Sequence, residues 1–263
     1  MPTIAVTGCA SGIGRATAAR LIADGHRVLG VDVADAEVVA DLGTADGRAT
    51  AISSITELAE GRLDGLVTAA GIGGSSTAHG GRLIAINYFG TVALLEGLRP
   101  ALTSGAGVVC LGSNSATVQP DWSVELAEAC LADDEARACE LAETALSLFA
   151  YPAAKAAISW YVRTNAPKPE WIGAGVRLNV IAPGLTETAL TQTQREDPLI
   201  GDAISNFPVP MGRPIRPDEI ADVIVFMLAA PMLVGSVLVA DGGTEALLRP
   251  KDWPAMWALN PRS

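Results

Sequence analysis

Hydrophobic and polar positions follow two rhythms along the chain. Short apolar runs recur at Thr3–Thr7, Arg27–Val31, Gly65–Ala69, Gly107–Leu111, Gly175–Ile181 and Ser236–Ala240. Between them lie Ala-rich stretches of helical length, among them Gly14–Ala23, Asn87–Leu98 and Ala153–Thr164. Strands apolar on both faces, alternating with helices, predict an α/β architecture. The expected form has three layers, a doubly wound parallel sheet with helices on both faces. Glu37–Ala40 adds a possible further strand after the second run. No repeat or low-complexity linker divides residues 1–263, so one domain is expected.

Two stretches break the rhythm. Residues 116–150 occupy a place where a short connection would suffice, and they hold eight acidic residues against the single Arg137. Apolar positions at Ala138, Leu141, Ala145 and Leu148 recur at helical spacing, which predicts a helical insertion. The second stretch, Pro250–Ser263, carries Trp253 and Trp257 among three prolines and is expected to pack over a site or a neighbour. A third, Val223–Ala240, has no charge over 18 residues. Pro231 and Gly235-Ser236 interrupt it, so it reads as a buried helix end and a buried strand, and no membrane span is expected.

Charge and composition narrow the classes. The 263 residues carry 18 Lys+Arg against 29 Asp+Glu, a net charge of −11, with 49% apolar and 18% charged residues. Such apolar content excludes a disordered chain, and the acidic balance argues against nucleic-acid binding. Most of the excess acid belongs to the insertion, so it does not describe the whole surface. Two His and four scattered Cys form no metal-ligand spacing, so no metal is expected. They read poorly as a disulfide framework, and no targeting signal opens the chain; both favour the cytoplasm. Cys9 and Cys110 read as small core or loop residues, His26 as a surface residue, and His79 as a loop residue without a visible partner.

The strongest local motif is Gly8-Cys9-Ala10-Ser11-Gly12-Ile13-Gly14, directly after the first strand and opening the first helix. Glycines there let backbone amides at a helix N-terminus approach a pyrophosphate, which makes Gly8, Ser11, Gly12, Ile13 and Gly14 candidate dinucleotide contacts. Asp32 closes the second strand 18 residues beyond Gly14. Its carboxylate can accept both hydroxyls of an adenosine ribose and would repel a 2′-phosphate, so NAD is expected over NADP. Asp41-Leu42 is placed to reach the adenine, and Ala70-Gly71 lets the backbone pass close to the cofactor. Tyr151 and Lys155, four apart in a helical stretch, project from one face. An adjacent ammonium favours the phenolate and makes Tyr151 a proton acceptor and donor. Pro152 fits only in the first turn of that helix.

Together with Thr7, Asn87, Ser113, Tyr151-Pro152-Ala153-Ala154-Lys155, Asn179-Val180-Ile181-Ala182-Pro183-Gly184 and Asp241-Gly242-Gly243, in that order, these motifs resemble the short-chain dehydrogenase/reductase family. The resemblance covers nearly the whole chain except the insertion and the Trp tail. It implies a Rossmann fold and a tetrad of Asn87, Ser113, Tyr151 and Lys155. In that tetrad Tyr151 exchanges the substrate proton, Ser113 binds the substrate oxygen, Lys155 holds the nicotinamide ribose, and Asn87 positions a relay water. Pro183, Gly184, Thr186 and Thr188 would lie against the nicotinamide. Ser115 rivals Ser113, and Asn87 could instead pin a helix. Thr68 stands where the family usually has Asn, which puts local sheet bonding in question.

The insertion, with Gly8-Cys9-Ala10, Asp35-Ala36-Glu37-Val38, Asn87-Tyr88-Phe89-Gly90, Thr186-Glu187-Thr188 and Pro210-Met211-Gly212-Arg213, is similar to the bacterial 3α-hydroxysteroid dehydrogenase/carbonyl reductases. What this implies is an NAD-dependent oxidoreductase interconverting a secondary alcohol and a ketone on a small apolar, alicyclic or steroid-like substrate. The alternative is a non-catalytic dinucleotide sensor or scaffold of Rossmann type. Leu185–Pro210 is expected to form a lid with apolar contacts from Leu190, Leu199, Ile200 and Phe207. A homo-oligomer is expected, a dimer over a tetramer, because the insertion enters the Tyr-Lys helix through which family members associate.

Overall fold

Seven parallel strands form one sheet in the computed structural model, which describes residues 1–144 and 147–252. In chain order the first elements are β1 (Thr3–Thr7), α1 (Gly12–Ala23), β2 (Arg27–Asp32), β3 (Val38–Val39), α2 (Ala45–Leu58) and β4 (Leu63–Thr68). Next, α3 (Gly80–Ile84) runs through a π-helical turn at Ala85–Gly90 into α4 (Thr91–Leu98), followed by β5 (Leu102–Leu111). The inserted stretch forms α5 (Ser115–Val118), α6 (Val124–Leu131) and α7 (Glu135–Thr144) ahead of α8 (Ser147–Asn165). Then follow β6 (Arg177–Pro183), α9 (Ala189–Arg195), α10 (Gly201–Ser205), α11 (Pro217–Ala229), β7 (Val237–Ala240) and α12 (Thr244–Leu248).

The sheet order is β3-β2-β1-β4-β5-β6-β7. Alternation along each strand divides the core in two. Ile4 and Val6 face a layer built on Ala18 and Leu21 of α1 and Ile220, Ile224 and Met227 of α11. Ala5 faces the opposite layer with Leu94, Leu95 and Leu98 of α4 and Ala153, Ala157 and Ile158 of α8. α11 buries Ile220, Ala221, Ile224 and Met227, one face at helical spacing, and starts on Pro217, where a missing N–H is harmless. Its last carbonyls would be orphaned, and Arg177 of β6 answers them, donating to Leu228 O at 2.7 Å and Ala230 O at 2.6 Å.

Several local expectations are corrected. The possible strand at Glu37–Ala40 shrinks to Val38–Val39, and Asn87 sits in the π-helical turn rather than a regular α-helix. Pro152 is not in the first turn: α8 begins at Ser147, because the insertion feeds it an extra turn. The Leu148 carbonyl that Pro152 cannot serve accepts the Gln119 side-chain amide at 3.0 Å, which offsets the lost hydrogen bond of an interior proline. The insertion is helical as expected, with Ala138 and Ala142 turned inward. Its α6 packs on α8, beside which Trp122 and Trp160 meet with ring centroids 5.8 Å apart and planes tilted by 54°. Val223–Ala240 divides between α11 and β7, but β7 is an edge strand that is only half-buried, with Val239 40% exposed, rather than the buried strand expected. No helix among the described residues is long and apolar enough to cross a membrane. Ala145 and the Trp253 and Trp257 of the tail lie outside the described residues.

Candidate active site

The strand order reverses between β1 and β4, and the crevice over their C-terminal ends opens into a cleft of about 670 Å³. The glycine loop forms its floor. Gly8 has φ +68°, and a Cβ there would lie 2.8 Å from the Ala69 backbone. A Cβ on Gly14 would lie 2.1 Å from Gly8 O, so only glycine permits this turn. No side chain caps α1 at Ser11, which leaves its first amides open beside the cleft, as an anion site requires.

Asp32 steadies this loop. Its Oδ2 accepts from Ala10 N at 2.9 Å and its Oδ1 from Val33 N at 2.7 Å. Thr7 Oγ1 accepts from Ala70 N at 2.9 Å, tying the turn after β4 to β1. Further along, Asp41 accepts from Gly43 N at 2.9 Å and from Arg82 Nη2 at 3.0 Å. Burial opposes ionisation of Asp41, but these donors outweigh it and its pKa lies below the usual carboxylate value. Asp41, Leu42, Arg82 and Ile86 close this end of the cleft.

At the other end Ser113, from the loop after β5, meets Tyr151 and Lys155 of α8. Ser113 Oγ accepts from Ser115 N at 3.1 Å, while the Oγ of Ser115 is buried without a hydrogen-bond partner. Lys155 is buried, donates to Leu111 O at 2.7 Å, and holds its Nζ 5.6 Å from the Tyr151 ring centroid. Burial lowers its pKa from 10.5 to about 8. Tyr151 departs from expectation: burial raises its pKa, and a hydrogen bond with Ser113 only partly opposes this. Desolvation sets the direction of the shift, and Lys155 Nζ directs one of its three N–H groups to the Leu111 carbonyl.

The cleft gathers Gly8, Ser11, Gly12, Ile13, Gly14, Asp32, Asp41, Leu42, Ala70, Gly71, Ser113, Tyr151, Lys155, Pro183, Gly184, Thr186 and Thr188. Asn87 alone among the candidates stands behind the wall, 0% exposed. Its amide donates to Ile72 O at 2.8 Å and accepts from Ile72 N at 2.9 Å, so it braces the Gly71–Ile72 backbone. The pinning alternative therefore describes its side chain, which pins a loop rather than a helix. The stretch expected to form a lid holds α9 and α10; Leu190, Ile200 and Phe207 line the cleft, whereas Leu199 is 58% exposed and does not.

Other residues were not marked by any motif. Arg82, Ile72, Gln119, Leu148, Gln194 and Ile204 line the cleft through tertiary packing alone. Asp241, from the Asp-Gly-Gly motif, accepts from Asn114 Nδ2 at 3.1 Å and so joins the ends of β5 and β7. Thr68 keeps its sheet pairing with Thr7 and Cys110, but its Oγ1 is buried without a hydrogen-bond partner. His26 is half-buried, with its Nδ1 enclosed, rather than a surface residue. His79 is exposed, with Glu143 as its partner at 3.9 Å.

Residues 2–124 match the family described as short chain dehydrogenase, and residues 139–245 match one described as enoyl-(acyl carrier protein) reductase. The chain is 43% identical over 258 residues to a 3-alpha-hydroxysteroid dehydrogenase/carbonyl reductase of Comamonas testosteroni, covering 95% of this chain and 99% of the relative. It is 32% identical to a D-threitol dehydrogenase of Mycolicibacterium smegmatis, over 90% of each chain. Among solved structures, the 3-alpha-hydroxysteroid dehydrogenase of Pseudomonas sp. B-0831 in complex with NADH superposes with a TM-score of 0.89 at 44% identity, covering 95% of this chain and 99% of that one. Fold, motif order and relatives agree, and the chain is a member of the short-chain dehydrogenase/reductase family of oxidoreductases.

Proposed function

We propose that the protein interconverts a secondary alcohol and a ketone with NAD(H), on an apolar alicyclic or steroid-like substrate. One observation carries this reading: Tyr151, Ser113 and Lys155 line the same cleft as the glycine loop and Asp32. NAD(H) supplies or accepts the hydride when bound. Gly8 and the Ser11–Gly14 amides would hold its pyrophosphate. Asp32 would take the adenosine ribose hydroxyls and disfavour NADP, Asp41 and Leu42 would meet the adenine, and Ala70 and Gly71 would pass beside the cofactor. Pro183, Gly184, Thr186 and Thr188 would lie against the nicotinamide.

Each catalytic side chain then has one task. Tyr151 Oη gives a proton to the ketone oxygen or takes one from the alcohol. Ser113 Oγ donates to that oxygen and stabilises charge developing on it. Lys155 Nζ orients the nicotinamide ribose and lowers the cost of a Tyr151 phenolate. Asn87 fixes the Gly71–Ile72 backbone, beside which a relay water towards Lys155 would be held. The apolar class rests on Ile72, Leu148, Leu190, Ile200, Ile204 and Phe207 in the cleft, a poor lining for a polyol such as D-threitol. It rests also on the steroid-active relatives.

Tyr151→Phe tests the assignment. Turnover over a panel of hydroxysteroids, monoterpene alcohols and cyclic alcohols should fall by roughly 10²–10⁴-fold while NADH binding persists. Wild-type turnover in that variant would sink the tetrad. NADH binding by wild-type protein with no turnover across the panel would favour the sensor. Comparing NADH with NADPH in the same titration tests the cofactor preference. We place the protein in the cytoplasm, and we favour a dimer because α6 and Trp122 cover the α8 face. Subunits packed face to face through Tyr151–Thr164 would refute that arrangement.

A further inference from the structure

Eight acids against one base make the insertion look like a solvated cover. Two of its carboxylates do something else. Glu135, opening α7, accepts from Arg48 Nη1 at 2.7 Å and Nη2 at 2.5 Å. Arg48, on α2, is only 9% exposed. Its remaining bonds run to the Leu42 carbonyl from Nε at 2.8 Å and to the Ala85 carbonyl from Nη2 at 3.0 Å. Glu135 thus supplies the countercharge to a buried guanidinium that grips the backbone beside Asp41.

The other end of α7 reaches the same place by a second route. Glu143 Oε1 accepts from Gly81 N at 2.8 Å, in the first turn of α3. The next residue, Arg82, donates to Asp41 Oδ2 at 3.0 Å. Contact between α7 and α3 is backbone to backbone: a Cβ on Gly80 would lie 2.1 Å from the Ala142 carbonyl oxygen. The end of the cleft is closely packed too, though by side chains. A Cβ on Gly43 would lie 2.9 Å from Ile86 and 3.1 Å from both Arg82 Nη1 and Asp41 Oδ1. A shift of α3 or of Arg48 therefore has no slack in which to dissipate.

We propose that α7 is a positioning element for the cofactor, with Glu135 acting through Arg48 and Glu143 acting through α3 to hold Asp41, Leu42 and Arg82 in place for the adenine. This rests on the NAD(H) reading of the cleft. Neutralising Glu135 leaves the Arg48 charge buried without its countercharge, which favours its withdrawal towards water and release of the Leu42 carbonyl. Neutralising Glu143 weakens the charge-assisted bond that seats α3.

The test measures dissociation constants for NADH and for ADP-ribose, by calorimetry, on wild type, Glu135→Gln, Glu143→Gln and Arg137→Ala. The last is a control within the insertion, since the Arg137 side chain bonds only Glu125 and Glu140 among the described residues. Both Gln variants should weaken both ligands by about three- to tenfold, with kcat at saturating NAD and KM for the alcohol held within about twofold. Arg137→Ala should leave both affinities unchanged. If Glu135→Gln does not fold, Glu143→Gln alone decides. Wild-type affinity in the folded Gln variants overturns the proposal, as does an equal loss in Arg137→Ala or a fall in kcat with affinity intact. Wild-type protein that binds neither ligand overturns the cofactor reading itself.

Discussion

Lys155 is held in the fold at a cost, and its removal should make the protein more stable while abolishing turnover. The residue is 4% exposed, and its ammonium donates to the Leu111 carbonyl at 2.7 Å. Burial lowers its pKa from 10.5 to about 8. Because the folded value lies below the unfolded one, the unfolded chain binds more protons between pH 8 and 10.5, and stability rises with pH across that window. Below it both states carry the proton, and the folded state bears the whole desolvation cost, about 3 kcal/mol. Lys155→Met removes that cost and fits the same apolar surroundings. It also strands the Leu111 carbonyl, which returns about 1 kcal/mol. The net expectation at pH 7 is a gain of about 2 kcal/mol. Urea unfolding of both proteins at several pH values between 7 and 10.5 measures it, since the cysteines, tyrosines and other lysines that titrate in this range are common to both and largely cancel in the difference. The gain should shrink steadily as pH rises through the window. A variant less stable than wild type at pH 7, or a difference constant with pH, would refute the reasoning.

Two further expectations concern positions outside the tetrad. Thr68→Val removes a buried hydroxyl whose polar neighbour is the weakly bonding Cys110 thiol and keeps the shape of the side chain, so chemical denaturation should show a gain of about 1 kcal/mol. A loss of that size would mean that the hydroxyl is bonded after all, with Cys110 opposite it across the sheet as the partner. Asp197 ties the lid to the loop after β4: its Oδ2 accepts from Ser76 N and Ser76 Oγ, each at 2.8 Å, and its Oδ1 from Leu199 N at 2.9 Å. Asp197→Ala should raise KM for the alcohol by about three- to tenfold and leave NADH affinity alone. Steady-state kinetics beside an NADH titration would show it, and an unchanged KM would mean that the lid holds without this contact.

What could be read along the chain and what could not divide on physical grounds. The central strands were legible because both faces are buried, which leaves a continuous apolar run; five successive residues of β5, Ala106–Cys110, are buried. Gly8, Gly14 and Asp32 were legible because a tight turn and a strand-end carboxylate each restrict one position to few residue types. Polar partners far apart in sequence left no such trace. Arg48 and Glu135 lie 87 positions apart, and nothing local distinguishes Glu135 from the seven acids around it. Pro152 was misplaced for the same reason: part of the cost of an interior proline is the carbonyl it leaves without a donor, and here Gln119 provides one from 29 residues before Leu148. Tyr151 shows the limit in electrostatics. A lysine four residues on is visible in the sequence, but the desolvation that sets the sign of the shift depends on the rest of the fold. Asn87 combines both cases. Its residue type and place in the motif order mark it for the catalytic set, yet its amide faces Ile72 from inside a π-helical turn. A substitution there would displace the Gly71–Ile72 wall beside Lys155, so loss of activity alone could not separate proton relay from bracing. Asn87→Asp keeps the acceptor for Ile72 N and removes the donor to Ile72 O, and the structure of that variant with its rate would tell the two apart.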